Sequence, residues 1–279
     1  MEVVVSVDEA CQTRSMTPKE CLAAVRQYGR TVRHLTDVQR TPEVCLAAVQ
    51  QRGDAVYYLT DTQRTPKVCL AAVRRHGYAV RYLNDAQRTP EVCLAAVRHD
   101  GNAVQYLSDA QRRPEVCLAA VQQNGYTISH LAGAQWTPKI CLAAVRQDGG
   151  SVKYLPPARR TPDVCLAAVR QNGHMVYFLS VTEQTPEVCL AAVQQDGCAM
   201  RYVKQPTPNV CLAAVQQNVK AVLYLNYAQI NKALEWTPTR HRHFSERVRV
   251  CIEALFACPD LPDELAAMIA RHVPVLTFC

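Results

Sequence analysis

Apolar and polar positions along the chain recur with a period of 24 residues, and the unit Thr41 to Arg64 shows what each period contains. Val44, Cys45, Ala48 and Val49 fall on one helical face, with Leu46 and Ala47 filling the flank. Thr41 offers a capping hydroxyl, Pro42 takes the first helical position, where its missing N–H costs nothing, and Glu43 suits the helix dipole. Gly53 tolerates positive φ and so suits the position just past the helix end. The following DAVYYLTDTQR places Ala55, Val56, Leu59 and Thr62 at helical spacing with polar residues between, which predicts a second, amphipathic helix. The first helix, apolar around most of its girth, is expected to be buried between neighbours, with the second packed on it and facing water on its other side.

The segment C-L-A-A-V begins at Cys21, Cys45, Cys69, Cys93, Cys117, Cys141, Cys165, Cys189 and Cys211, in steps of 24 residues except for a last step of 22. A fixed period in this range marks stacked supersecondary units that bury one another's apolar faces. The sequence therefore predicts an all-α fold, an α-solenoid of about nine helical hairpins over residues 17–229. Leucine-rich repeats share the period, but their L-x-x-L-x-L-x-x-N pattern is absent and the proline-led, alanine-rich first segment favours helix. Stacks close with atypical terminal units. Residues 1–16 echo half a repeat and are expected to form an N-terminal cap, Val219 replaces the column glycine in the ninth unit, and residues 230–279 are expected to form a helical C-terminal cap.

At C-L-A-A-V-x-x-x-G followed by A-V-x-Y-L, the chain resembles a family of short α-helical repeats of unassigned function found in bacterial and large-virus proteins. The resemblance covers roughly the first four-fifths of the chain and implies a fold, not an activity. Near the other end, LPDELAAMIARHV, residues 261–273, resembles the opening of an F-box, the helical segment by which adaptor proteins join a ubiquitin-ligase core. Leu261, Pro262, Glu264, Leu265 and Ile269 carry that likeness, and poxvirus-type ankyrin proteins place such a truncated F-box-like end after their repeats. It implies a substrate adaptor with a ubiquitin-ligase subunit as partner, against the plainer alternative of a proline-led helical cap.

With 279 residues, 49% hydrophobic and 20% charged, the composition is that of a globular or solenoid protein rather than a disordered one. The N-terminus has an acid at position 2 and no basic start, and no apolar run approaches the roughly 18 residues of a membrane span. Fourteen cysteines set inside alanine-rich apolar segments fit a reducing compartment better than a disulfide scaffold. The expectation is an intracellular protein, cytoplasmic or nuclear, in its own cell or a host cell, with no membrane partner.

A thiol that returns nine times invites a chemical role. Stacked helices lie about 8–10 Å apart, too far for consecutive column cysteines to form disulfides. One thiol per helix offers no converging zinc ligands, and an apolar run with no histidine at a fixed offset offers no activated nucleophile. The column cysteine is expected to act as a small hydrophobe that keeps the first helix slim. His241, His243, Cys251 and Cys258 match no familiar zinc spacing, and no glycine-rich phosphate loop, G-x-S-x-G or H-E-x-x-H occurs. No catalytic residue, metal or cofactor is expected, and the chain is read as a non-enzyme.

Comparing the repeats with one another leaves a few released positions, and these are the candidate partner-binding residues. Around the glycine they are Arg52, His99, Asp100, Tyr78, Asn102 and Tyr126; further on they are Arg33, Tyr57, Arg81, Gln105, Lys153, Tyr177 and Arg201, beside an aromatic column at Tyr58, Tyr82, Tyr106, Tyr154, Phe178, Tyr202 and Tyr224. Tyrosine and arginine are enriched at binding hot spots, and solenoids bind along extended edges, so the leading expectation is a protein-interaction scaffold of unidentified partner. The net charge is +7, with −2 on residues 1–16, none on 237–279 and +9 between. The column Arg40, Arg64, Arg88, Arg112 and Arg160 suits a helix C-terminus and, with the aromatics, also allows salt-sensitive nucleic-acid binding, while Asp37, Asp61, Asp85 and Asp109 dilute the field.

Overall fold

The computed structural model describes residues 16–225, and over them the chain is an all-α solenoid of repeated helical units with no strand. Residues 1–15 of the N-terminal cap expected at 1–16, the whole C-terminal cap expected at 230–279 and the F-box-like segment within it lie outside the described residues. Each repeat opens with a ten-residue α-helix: α1 Pro18–Gln27, α2 Pro42–Gln51, α3 Pro66–Arg75, α4 Pro90–His99, α5 Pro114–Gln123, α6 Pro138–Gln147, α7 Pro162–Gln171, α8 Pro186–Gln195 and α9 Pro208–Gln217. Thr41 is extended and its hydroxyl accepts the Val44 N–H at 3.4 Å, ahead of Pro42 at the first position. Thr17 and Glu20 complete a capping box on α1. Arg113 replaces the threonine before α5, and the side-chain cap is lost there.

The second element is not the amphipathic α-helix that the spacing predicts. It is a 3₁₀ helix of six residues, Gly53–Tyr58 in the second repeat, followed by Leu59 in extended conformation and a turn. Arginine ends it: Arg64 reaches back, its Nε donating to the Val56 carbonyl at 3.2 Å and its Nη2 to the Tyr57 carbonyl at 3.4 Å. The Val56 carbonyl also accepts the Leu59 N–H at 3.2 Å, an i+3 bond, so it is shared between that N–H and Arg64 where an α-helix would take it from the fourth residue on. Leu59 then turns inward and is 3% exposed.

The glycine column is also corrected. No described residue has positive φ, and each column glycine opens the 3₁₀ helix with ordinary backbone. What the position requires is close approach. A Cβ built on Gly101 would lie 2.6 Å from the carbonyl oxygen of Ala120 in the next repeat, and Gly29, Gly77 and Gly197 meet the equivalent carbonyls at the same distance.

The chain forms two compact units, Met1–Gln147 and Asp148–Cys279. The described part of the first holds α1 to α6 and the 3₁₀ helices from Gly29–His34 to Gly125–His130; that of the second holds Gly149–Tyr154, α7 to α9 and the 3₁₀ helices up to Val219–Tyr224. Within each unit an α-helix packs on its neighbours and on the adjacent 3₁₀ helices. The core of the second repeat is Val44, Cys45, Ala48, Val49, Ala55, Val56 and Leu59, each at most 3% exposed. Burial of each larger aliphatic side chain is worth about 1.5–3 kcal/mol, and the small Cys and Ala let backbones approach. Leu46 and Ala47, expected inside, are only half-buried. They sit on the helix face opposite that core, and no described layer covers them.

Candidate interaction edge

The polar framework accounts for most of the fixed positions before any is left for recognition. Arg40, Arg64, Arg88 and Arg112 donate through Nε to the carbonyls of Val32, Val56, Val80 and Val104 at 3.1–3.3 Å. Their side chains are only 14–16% exposed, and each meets an aspartate three residues earlier, Asp37, Asp61, Asp85 or Asp109, at 3.2–3.5 Å. The same aspartates accept from Gln63, Gln87, Gln111 and Gln135 of the following repeat. Where arginine is replaced, another N–H takes its carbonyl: Trp136 Nε1 donates to Ile128 O at 3.3 Å, and Gln184 Nε2 to Val176 O at 3.0 Å. The arginine column is thus a local carbonyl clamp and not the dipole partner expected from sequence.

The cysteines have a role beyond size. Cys93 Sγ donates to the Arg88 carbonyl at 3.3 Å, and Cys45, Cys69 and Cys117 repeat the bond at 3.2–3.3 Å. Each thiol therefore secures the turn held by the arginine clamp. Burial pushes the thiols up, to about 11 at Cys117, Cys165, Cys189 and Cys211. No disulfide joins two of the described cysteines. Among the described residues no cluster of three or more histidine, cysteine, aspartate or glutamate side chains could hold a metal, and no helix is long and apolar enough to cross a membrane.

Several candidate residues prove to be structural. His99 Nδ1 accepts the Gly77 N–H at 3.2 Å across a repeat boundary. Asp100 Oδ1 accepts the Asn102 N–H at 2.9 Å and so caps its 3₁₀ helix, as Asn124, Asp148, Asn172 and Asp196 cap theirs. Asn102 Oδ1 in turn accepts from Asn124 Nδ2 at 3.3 Å. Arg52 pairs with Asp54 at 2.8 Å, and Arg33 Nε donates to His34 Nε2 at 2.7 Å. The Asp and Asn residues before the glycine thus carry capping contacts of their own.

The remaining candidates assemble with the aromatic column. In the first unit Tyr57 lies edge-on between Tyr58 and Tyr82, with centroids at 5.2 and 5.1 Å, and Arg81 sits over Tyr82 and Tyr106 at 5.2 and 5.5 Å. Tyr78 meets Tyr106 at 5.7 Å. In the second unit Tyr177 lies between Phe178 and Tyr202, both at 5.1 Å, and Arg201 over Tyr202 and Tyr224 at 5.0 and 5.7 Å. Lys153 covers Tyr154 at 4.9 Å. Such pairs are worth about 0.5–1.5 kcal/mol each and hold the side chains in place. Tyr57 is nevertheless 59% and Tyr177 61% exposed. Tyr126 and Gln105 are exposed on the same columns, Tyr126 at 6.1 Å from His130.

Sequence reasoning missed the glutamine that ends most α-helices. Gln51 Oε1 accepts the Gly29 N–H at 2.9 Å, and Gln123 does the same for Gly101 at 2.8 Å. Its signal was present as an amide fixed immediately before the released column. Comparison with protein-family models, curated proteins and solved structures finds no match to this chain.

Proposed function

We propose that this chain is a non-enzymatic protein-interaction scaffold that binds its partner along the edge carrying the released positions. The observation that supports this is the aromatic–cationic ribbon, Tyr58, Tyr57, Tyr82, Arg81 and Tyr106 in one unit and Phe178, Tyr177, Tyr202, Arg201 and Tyr224 in the other. Its exposed members already stand in fixed geometry, so binding forfeits little side-chain entropy, and they are of the types that dominate interface energetics. Nucleic-acid binding is the weaker alternative, because the arginine column that suggested it is engaged with backbone carbonyls and aspartates. The ubiquitin-ligase alternative depends on residues 261–273, and a pull-down with and without residues 261–279 decides it: capture of no ligase subunit would sink it.

The test is affinity capture with the wild type and with the combined variant Tyr57→Ser, Arg81→Ser, Tyr177→Ser, Arg201→Ser. The expected result is unchanged helicity with loss of the captured partners. Capture of the same partners by the folded variant would overturn the proposal.

A further inference from the structure

The last residue of each α-helix from α2 to α9 bridges to the repeat before it, and one junction lacks the acceptor of that bridge. Gln51 supplies both halves: its Oε1 accepts the Gly29 N–H at 2.9 Å and its Nε2 donates to the Gln27 carbonyl at 3.5 Å. Glutamine meets the glycine N–H in the same way at Gly101, Gly125, Gly149, Gly173 and Gly197. His99 keeps the acceptor half through Nδ1. Arg75, ending α3, keeps only the donor half, Nε to the Gln51 carbonyl at 3.4 Å, because a guanidinium has no acceptor. Gly53 is buried, and its N–H finds no acceptor among the described residues. An unmet buried donor is costly, so the site favours any ligand that supplies an oxygen.

Around Gly53 lies an open groove of about 330 Å³ lined by Gln51, Arg52, Gly53, Asp54, Arg75 and His76. Its acid, Asp54, is answered twice within the protein, by Arg30 and Arg52 at 2.8 Å each. The third repeat, Thr65 to Arg88, carries five cationic side chains against the single acid Asp85, which already meets Arg88. On the other side of Arg75 a second groove combines Lys67 and Arg74 with apolar Leu46, Leu70 and Ala71. The 3₁₀ turn is common to all repeats and selects nothing; the guanidinium pair and the missing acceptor coincide only here among the described residues.

We infer that this groove binds a carboxylate of an acidic peptide segment, with the Gly53 N–H and the guanidiniums of Arg75 and Arg52 as donors, in the place that a glutamine Oε1, or His99 Nδ1 at Gly77, holds at the other junctions. The inference rests on the scaffold reading above and specifies its partner. A planar carboxylate oxygen reproduces the amide oxygen that is missing, and the neighbouring Leu46, Leu70 and Ala71 suit apolar residues beside an acid in a peptide better than a free phosphate.

The full chain, labelled with nitrogen-15, is titrated with the capped peptide acetyl-Ser-Glu-Leu-Glu-Leu-Ser-amide, with its glutamine counterpart and with inorganic phosphate. The Gly53 amide resonance is expected to move and saturate with the glutamate peptide alone, while those of Gly29 and Gly101 hold. Arg75→Gln restores the internal acceptor and should weaken peptide binding by about tenfold or more while raising the thermal midpoint. The inference is overturned if Gly53 does not move, if Arg75→Gln binds equally well, or if phosphate alone moves Gly53. The two proposals fail separately. A silent Gly53 with partners still lost from the ribbon variant removes this site and keeps the scaffold, whereas a responsive Gly53 with nothing lost from the ribbon variant does the reverse.

Discussion

Adding one methyl group at Gly101 should damage the fold far more than its ordinary backbone suggests. The new Cβ would stand 2.6 Å from the Ala120 carbonyl oxygen, 2.8 Å from Gln123 Oε1 and 3.3 Å from the Asn124 Cβ. Comfortable separation is roughly 3.5 Å, so the end of α5 must retreat although it is packed against α4 and α6. Overpacking of this kind costs about 1–3 kcal/mol, and loss of the Gly101–Gln123 hydrogen bond adds about 1 kcal/mol. Gly101→Ala is therefore expected to destabilise by about 2–4 kcal/mol in urea unfolding followed by circular dichroism. Amide exchange should place the damage in the fourth and fifth repeats, since contacts in a stack are between neighbours. Two controls grade the effect. A Cβ on Gly149 would lie 3.0 Å from the Ala168 carbonyl, so Gly149→Ala should cost less; Gly133 has nothing within 4 Å, so Gly133→Ala should be neutral or stabilising. Gly101→Asn separates the mechanisms, because asparagine tolerates a left-handed turn but not this contact. A cost below about 0.5 kcal/mol for Gly101→Ala, or rescue by Asn, would refute close approach as the reason for the glycine.

Three further outcomes follow from the framework. Ser151 is fully buried with no partner for its hydroxyl, where other repeats place Ala55, Ala79, Ala103 and Ala199, so Ser151→Ala should stabilise by about 1 kcal/mol in the same unfolding assay. Arg88→Ala should cost about 1.5–3 kcal/mol by removing the charged donor to the Val80 carbonyl, which keeps only the Leu83 N–H, and Arg88→Gln should recover part of it, as Gln184 holds Val176 O naturally. The buried thiols hold their protons in the folded state up to about pH 11, against an ordinary value of 9.0, at Cys117, Cys165, Cys189 and Cys211. Unfolding releases those protons above pH 9, so stability should be intact below it and fall as pH rises toward 11, read as a falling urea midpoint; a midpoint flat from pH 8 to 10.5 would contradict this.

What was legible in the sequence is what depends on period and polarity. Thr41, Pro42 and the column of Val44, Cys45, Ala48 and Val49 place every α-helix because capping and burial act locally and repeat. The second element escaped because helical spacing over DAVYYL is the same for a six-residue 3₁₀ helix as for the start of an α-helix. What decides between them is Arg64 returning eight residues to the Val56 carbonyl, a contact that periodicity does not encode. The glycine was read through its freedom of φ, whereas its cause is a carbonyl in the next repeat. At the edge, composition identified tyrosine and arginine, but their order as a ribbon depends on the distance between stacked repeats.

The position that ends each α-helix shows how far a comparison of repeats can carry an argument about function. Gln51, Arg75, His99 and Gln123 are all polar and all exposed, and a count of released positions ranks them together. Their chemistry separates them. Glutamine donates and accepts, histidine in this tautomer accepts, and arginine only donates, while the glycine N–H one repeat back needs an acceptor every time. His99, named above among the candidate binding residues, makes the same framework bond as glutamine, and His99→Gln should leave stability and binding nearly unchanged. Arg75 leaves the framework one acceptor short, beside an open cationic groove. A polar substitution thus marks a site when it fails to do what its equivalents do, and merely differing from them is not enough.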